Sequence, residues 1–249
     1  MTLQTRCCRL GSWFSRQHFV FVLASVFCLV LLSVPANNNA RAANLDVDMA
    51  LVLAVDVSYS VDETEFRLQM DGIALAFQQS AVHQAIMSGP HRRIAVAVTQ
   101  WSGENQQVVG IPWKIIDGPK SALLLADRLT REPRRIGEGG TATGAAMRHA
   151  GALLLSAPFN TFRRVIDVSS DGRSNRGVWP TNIRNQLAAR NITVNGLAIL
   201  NEWPTLDTYF ENQIIGGPYH FVIVANDYQA YTDAIRQKLI KEIAGPGIS

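Results

Sequence analysis

Val47-Asp48-Met49-Ala50-Leu51-Val52-Leu53-Ala54-Val55-Asp56-Val57-Ser58-Tyr59-Ser60 is the stretch on which the fold turns. Val47 to Val57 is nearly all apolar and has the length of a strand. A strand covered on both faces needs such a run, because it has no solvent side to make polar. Where the run ends, an acid and two hydroxyls follow at alternate positions, Asp56, Ser58 and Ser60, in a loop that leaves the strand at its carboxyl end.

Outward from that strand, apolar runs alternate with helix-period segments. Asp62 to Met87 carries Phe66, Met70, Ile73 and Phe77 at spacings that share one helix face, with Asp62 and Glu63 at the start, where the helix dipole favours carboxylates. Strands are predicted at Ile94–Trp101 and Val108–Ile116. The short polar link 102–107 between them cannot hold a crossover helix, so this pair is antiparallel. Helices near 120–131, 142–156, 181–189, 206–215 and 228–243 alternate with strands at 164–168, 193–200 and 220–224. The fold class is α/β: a doubly wound, mostly parallel six-stranded sheet with one antiparallel edge strand and helices on both faces. No internal repeat or low-complexity linker follows residue 43.

The N-terminal 42 residues read as an address. Arg6, Arg9 and Arg16 precede the apolar run Phe19–Val34, and Ala40-Arg41-Ala42 supplies a small-x-small cleavage pattern. This predicts a Sec-type signal peptide over 1–42 and a mature domain over 43–249, exported to a bacterial periplasm or beyond. An uncleaved signal anchor is the alternative. Cys7, Cys8 and Cys28 all lie in the leader, so the mature domain has neither a disulfide nor a thiolate metal site. The formal charge is +3, from 23 Lys and Arg against 20 Asp and Glu. Four of the Arg fall in the leader, which holds no acid, leaving 19 against 20, or −1. That balance gives no reason to expect a nucleic-acid partner, and none with a membrane once the leader is removed.

In open parallel sheets, ligands bind beyond the carboxyl ends of the strands. Three segments fall there: 56–60, Gly139-Gly140-Thr141-Ala142-Thr143-Gly144 ahead of a helix, and Ser169-Ser170-Asp171-Gly172 after the fourth strand. Hydroxyl oxygens beside carboxylates form a hard-oxygen set suited to Mg²⁺ or Mn²⁺ rather than zinc. A purely structural reading stays open, in which Ser58 and Ser60 cap the helix near Asp62 and Thr141 caps its own.

In these residues the chain resembles the von Willebrand factor type A family, whose metal-ion-dependent adhesion site (MIDAS) runs Asp-x-Ser-x-Ser, then Thr before a helix, then Asp after the fourth strand. Asp56, Ser58, Ser60, Thr141 and Asp171 match in order, and the resemblance extends over 48–245, closest to secreted bacterial single-domain members. It implies that Ser58, Ser60 and Thr141 coordinate the cation directly while Asp56 and Asp171 hold waters or hydroxyls. The sixth position is then left for a carboxylate from a protein or cell-envelope ligand. The expected function is an exported binding protein rather than an enzyme. Two alternatives are a metal-dependent hydrolase of phosphate or ester substrates, with Asp171 or Glu202 as base, and a structural domain with a vacant site.

Other motifs point elsewhere less well. Gly137–Gly144 lacks the Lys-Ser/Thr of a phosphate loop, and its glycines are expected to permit the tight turn that presents Thr141. His83, His91, His149 and His220 show no paired ligand spacing, and no Gly-x-Ser-x-Gly elbow occurs. Arg163-Arg164 and Pro133-Arg134-Arg135 read as solvated basic faces. Arg173, Asn175, Trp179, Glu202 and Trp203 fall in loops that can rim the cation and meet a partner.

Overall fold

A computed structural model describes residues 45–245. The leader assigned to 1–42 and its cleavage point lie outside the described residues. In chain order the elements are β1 (Leu45–Asp46), β2 (Met49–Asp56), α1 (Glu63–Gln78), α2 (Ser80–Met87), β3 (Ile94–Trp101), β4 (Gln107–Ile116), α3 (Pro119–Thr130), α4 (Thr143–Leu155), β5 (Phe159–Asn160), β6 (Arg164–Ser170), α5 (Pro180–Ala188), β7 (Ile192–Ile199), α6 (Leu206–Tyr209), β8 (Val222–Ala225) and α7 (Tyr231–Ala244).

The six-stranded sheet has the order β4-β3-β2-β6-β7-β8 and is parallel except for β4, which pairs antiparallel with β3 at one edge. Pro112 in β4 has no amide hydrogen to donate, which an edge strand tolerates. The β3–β4 register shifts between Val96 and Thr99, opposite this segment. A second, two-stranded sheet pairs β1 with β5, two segments too short to leave a period in the sequence.

Alternation along β2 sorts its side chains between two cores. Leu51, Leu53 and Val55 face α1, α2, α3 and α7, with Phe66, Met70, Phe77, Leu125 and Leu239. Ala50, Val52 and Ala54 face α4, α5 and α6, with Met147, Leu154, Leu187 and Phe210. All eight residues of β2 are buried, as expected for a strand covered on both faces.

The single helix predicted over 62–87 is two helices. Gln79 is extended (φ −75°, ψ 134°) and separates α1 from α2. The next core residues after Phe77 are Val82 and Ile86, five and nine positions on. An unbroken helix would carry them about 140° and 180° away from the apolar stripe, and the break returns both to the core. The start is as the acids suggested: Asp62 Oδ1 accepts from the Glu65 amide (2.8 Å), and Glu65 Oε2 accepts from the Asp62 amide (2.9 Å). The helix predicted over 206–215 begins as α6 and widens into a π-turn over Phe210–Ile214. Among the described residues no helix is long and apolar enough to cross a membrane.

Candidate metal centre

The sheet register assembles the site. β2 and β6 run parallel with Val55 opposite Ser169, so Asp56 and Ser170 end side by side at the carboxyl edge. Beyond this edge three loops meet. Asp56 Oδ1 accepts from the Ser58 amide (2.8 Å), folding the Asp56–Ser60 loop back on its strand. Ser60 Oγ donates to Asp171 Oδ1 (2.7 Å) across 111 residues, and Thr141 Oγ1 donates to Ser58 Oγ (3.3 Å) across 83. Ser58 Oγ and Ser60 Oγ lie 3.5 Å apart. The structure therefore brings all five sequence-predicted residues into one cluster, with Asp56, Ser58, Thr141 and Asp171 buried.

The structural reading of the hydroxyls does not hold. Asp62, not Ser58 or Ser60, caps α1, and the N-cap of α4 is Ala142, with no side-chain cap from Thr141. The glycines beside Thr141 also act differently from expectation. Neither Gly139 nor Gly140 has positive φ. Gly139 instead lets backbones approach: a Cβ there would lie 2.2 Å from Gln106 Oε1 and 3.1 Å from the Gly103 nitrogen. Its carbonyl accepts from the Tyr59 amide (2.9 Å), joining the second loop to the first.

Further residues brace the cluster. Ser170 Oγ donates to Asp56 Oδ2, and Gln69 Nε2 donates to the Asp56 carbonyl (3.1 Å). Asn175 Oδ1 accepts from the Thr141 amide (2.9 Å). Arg134 donates to the carbonyls of Val57 (2.8 Å) and Val61 (2.9 Å), on either side of the serine loop. The Pro133–Arg135 cluster is thus no simple solvated face. Nor is Arg163, whose guanidinium donates to the Ile243 carbonyl (2.9 Å) and the Glu242 carbonyl. A run of basic residues carries no mark of a carbonyl seventy or more positions away. Two histidines serve local structure, with Phe77 O 2.6 Å from His83 Nε2 and Gly217 O 2.7 Å from His220 Nδ1.

Electrostatically the centre is short of positive charge. Burial, and then the Asp171 charge, push the Asp56 carboxyl up to about 7 against the opposing bonds from Ser170 and Ser58. Burial likewise raises Asp171, whose Oδ2 is buried without a hydrogen-bond partner. The Tyr228 hydroxyl weighs on Asp171 but stands outside hydrogen-bond geometry, and burial among carboxylates keeps it protonated. Among the described residues no ion pair reaches Asp56 or Asp171. Two buried carboxylates, three hydroxyls, one orphaned carboxylate oxygen and no imidazole or thiolate fit a hard divalent cation.

The cluster opens into a cavity of about 590 Å³. Arg173, Asn175, Glu202 and Trp203 line it, as the loop positions suggested, whereas Trp179 is exposed elsewhere. The Arg173 guanidinium stands 4.9 Å from the Trp203 ring centre and 5.6 Å from that of Tyr209, and it donates to Thr205 Oγ1 (2.9 Å). The rim therefore presents a fixed cation beside an aromatic face.

The family described as "Protein of unknown function (DUF1194)" matches residues 46–247. No curated protein matches the chain. Among solved structures, the proximal thread matrix protein 1 from the mussel byssus, with a zinc-occupied MIDAS motif, is 17% identical with a TM-score of 0.61, over 81% of this chain and 49% of that one. The von Willebrand factor type A protein from Catenulispora acidiphila is 18% identical with a TM-score of 0.55, over 79% and 43%. The vWF domain of the type V pili tip protein Mfa5 from Porphyromonas gingivalis is 9% identical with a TM-score of 0.54, over 82% and 99%. The chain spans about half the length of the first of these. At such identities the likeness shows the fold, which is that of a von Willebrand factor type A domain.

Proposed function

We propose that this chain, which belongs to the DUF1194 family, is an exported binding protein. Asp56, Ser58, Ser60, Thr141 and Asp171 hold a divalent cation, Mg²⁺ or Mn²⁺, that engages a carboxylate on a protein or cell-envelope ligand. The observation that carries this reading is the buried Asp56–Asp171 pair with an unpartnered Asp171 Oδ2, set among three hydroxyls of which those of Ser60 and Thr141 belong to residues lining an open cavity. Buried carboxylates without a cation are costly, and an ion recruited from solution relieves them. A relative's MIDAS motif occupied by zinc, and another relative's place at a pilus tip, are in keeping with a metal site used at a cell exterior. Neutral hydroxyl ligands leave the cation electron-poor, so an incoming carboxylate makes a charge-assisted contact there. Arg173 and Trp203 select what accompanies it.

Calorimetric titration with MgCl₂ and MnCl₂ tests the reading. The wild-type protein is expected to bind one ion, and Asp56→Ala to lose at least about a hundredfold in affinity. Bound metal at about a hundred times its Kd should add about 2.7 kcal/mol to stability, removed by chelator. Equal titrations of wild type and Asp56→Ala would overturn it.

A further inference from the structure

At the opposite end of the sheet lies a second cavity, of about 530 Å³, where β6 and β7 begin and α7 ends. It is separated from the cation cluster by the length of β6, seven residues or about 20 Å. We propose that it binds a small aryl carboxylate: a planar aromatic body and one carboxylate. Aromatic walls and two cations that form no ion pair among the described residues meet in a cavity of ligand size.

Phe162, Tyr219 and Phe221 form the walls. Phe162 is 94% exposed and Tyr219 75%, which is unusual for large aromatic side chains that serve only packing. Tyr219 also sits at φ 56°, a left-handed conformation that a bulky residue adopts only under constraint, and such strain gathers at ligand sites. Phe221 is flanked by cations, with Lys241 Nζ 4.2 Å and Lys238 Nζ 5.4 Å from its ring centre.

Arg164 and Lys241 supply the charge. Both line the cavity, and neither forms an ion pair among the described residues. Arg163 beside them is committed to carbonyls at the end of α7. An arginine fork matches a carboxylate in geometry as well as sign. On the floor, Glu242 is 3% exposed. Its Oε1 accepts from Asn195 and Lys238, while Oε2 has no hydrogen-bond partner. Its charge is answered by Lys238 on the same helix, which leaves the two rim cations to a ligand.

The test uses the purified protein in chelator, so that no carboxylate is captured by a metal at the other end, and the result is independent of the function proposed above. Three probes are titrated by calorimetry and saturation-transfer NMR: phenylacetate, cyclohexylacetate, which lacks the planar ring, and phenethylamine, which lacks the anion. The first is expected to bind with a Kd of about 1 mM or below, the second about fivefold more weakly, and the third not detectably. Arg164→Gln with Lys241→Gln, both at the rim, should weaken phenylacetate at least about tenfold without changing the melting temperature. No binding of phenylacetate at about 10 mM, binding unaltered in the double variant, or equal binding of phenethylamine or cyclohexylacetate would each overturn the proposal.

Discussion

Each end of the sheet buries a pair of carboxylates, and the two ends neutralise them by different means. At the amino end, Asp167 on β6 and Glu242 on α7 share Lys238, whose Nζ lies 2.7 Å from Asp167 Oδ1 with all three side chains buried. At the carboxyl end, Asp56 and Asp171 are equally deep but meet only hydroxyls and amides. The first pair carries its cation covalently, four residues from Glu242 on the same helix; the second has none among the described residues, and the proposed function gives it one from solution. A fixed lysine gives a permanent structural joint, whereas an exchangeable ion leaves coordination positions for something else. The contrast shows that burying acid is not in itself a functional signal. What marks the carboxyl end is acid buried without a counter-charge.

The contrast is broken most directly at Lys238. Lys238→Met should destabilise the protein by about 3–5 kcal/mol in urea unfolding, because Asp167 and Glu242 are left as uncompensated buried acids. Added Mg²⁺ should not restore it. A loss below about 1 kcal/mol would mean that the amino end does not depend on its built-in cation. Next in size is Ser170→Ala, which frees Asp56 Oδ2. Metal affinity should fall about tenfold to a hundredfold by calorimetry, as is usual when a group that orients a ligand is removed, with folding stability changed by only about 1 kcal/mol. Undiminished affinity would show that Asp56 needs no such orientation.

The mildest test is pH. The folded Asp56 carboxyl titrates at about 7, above an ordinary carboxylate, so between these values the folded metal-free protein holds a proton that the unfolded chain has lost. That stability is fully present below the ordinary carboxylate range and is lost as pH rises through about 7. Melting in chelator should therefore reach a higher temperature near pH 5.5 than near pH 8. Metal competes with the same proton, so Mg²⁺ affinity should weaken by about tenfold per pH unit below 7. Parallel trends with and without metal would separate Asp56 from the cation.

Much of the architecture was legible because its signals are local. The unbroken apolar run of β2, the link between β3 and β4 too short for a crossover, and the acids at the start of α1 each report on their own neighbourhood. The five clustered side chains were legible because they match the von Willebrand factor type A motif in order, in segments that an open parallel sheet gathers beyond the carboxyl ends of its strands. Bracing was not. Ser170 meets Asp56 across 114 residues, and Arg134 reaches Val57 and Val61 across 77 and 73, distances over which composition and period say nothing. The break at Gln79 lay hidden for a related reason: Val82 and Ile86 are apolar in any register, and only the sheet beneath decides which way they must turn.

Arg134 also bears on how quickly a cation is captured. Its guanidinium fastens both flanks of the serine loop from a segment that leads into Gly139 and Thr141, so the two strips of backbone are held in step whether or not an ion is present. Conformational entropy that a floppy collar would surrender on binding is already spent during folding. On the proposed function, uptake and release of the ion amount to exchange of water molecules around a rigid ring of oxygens, and turnover at the centre follows the dehydration rate of the metal instead of the motion of the chain.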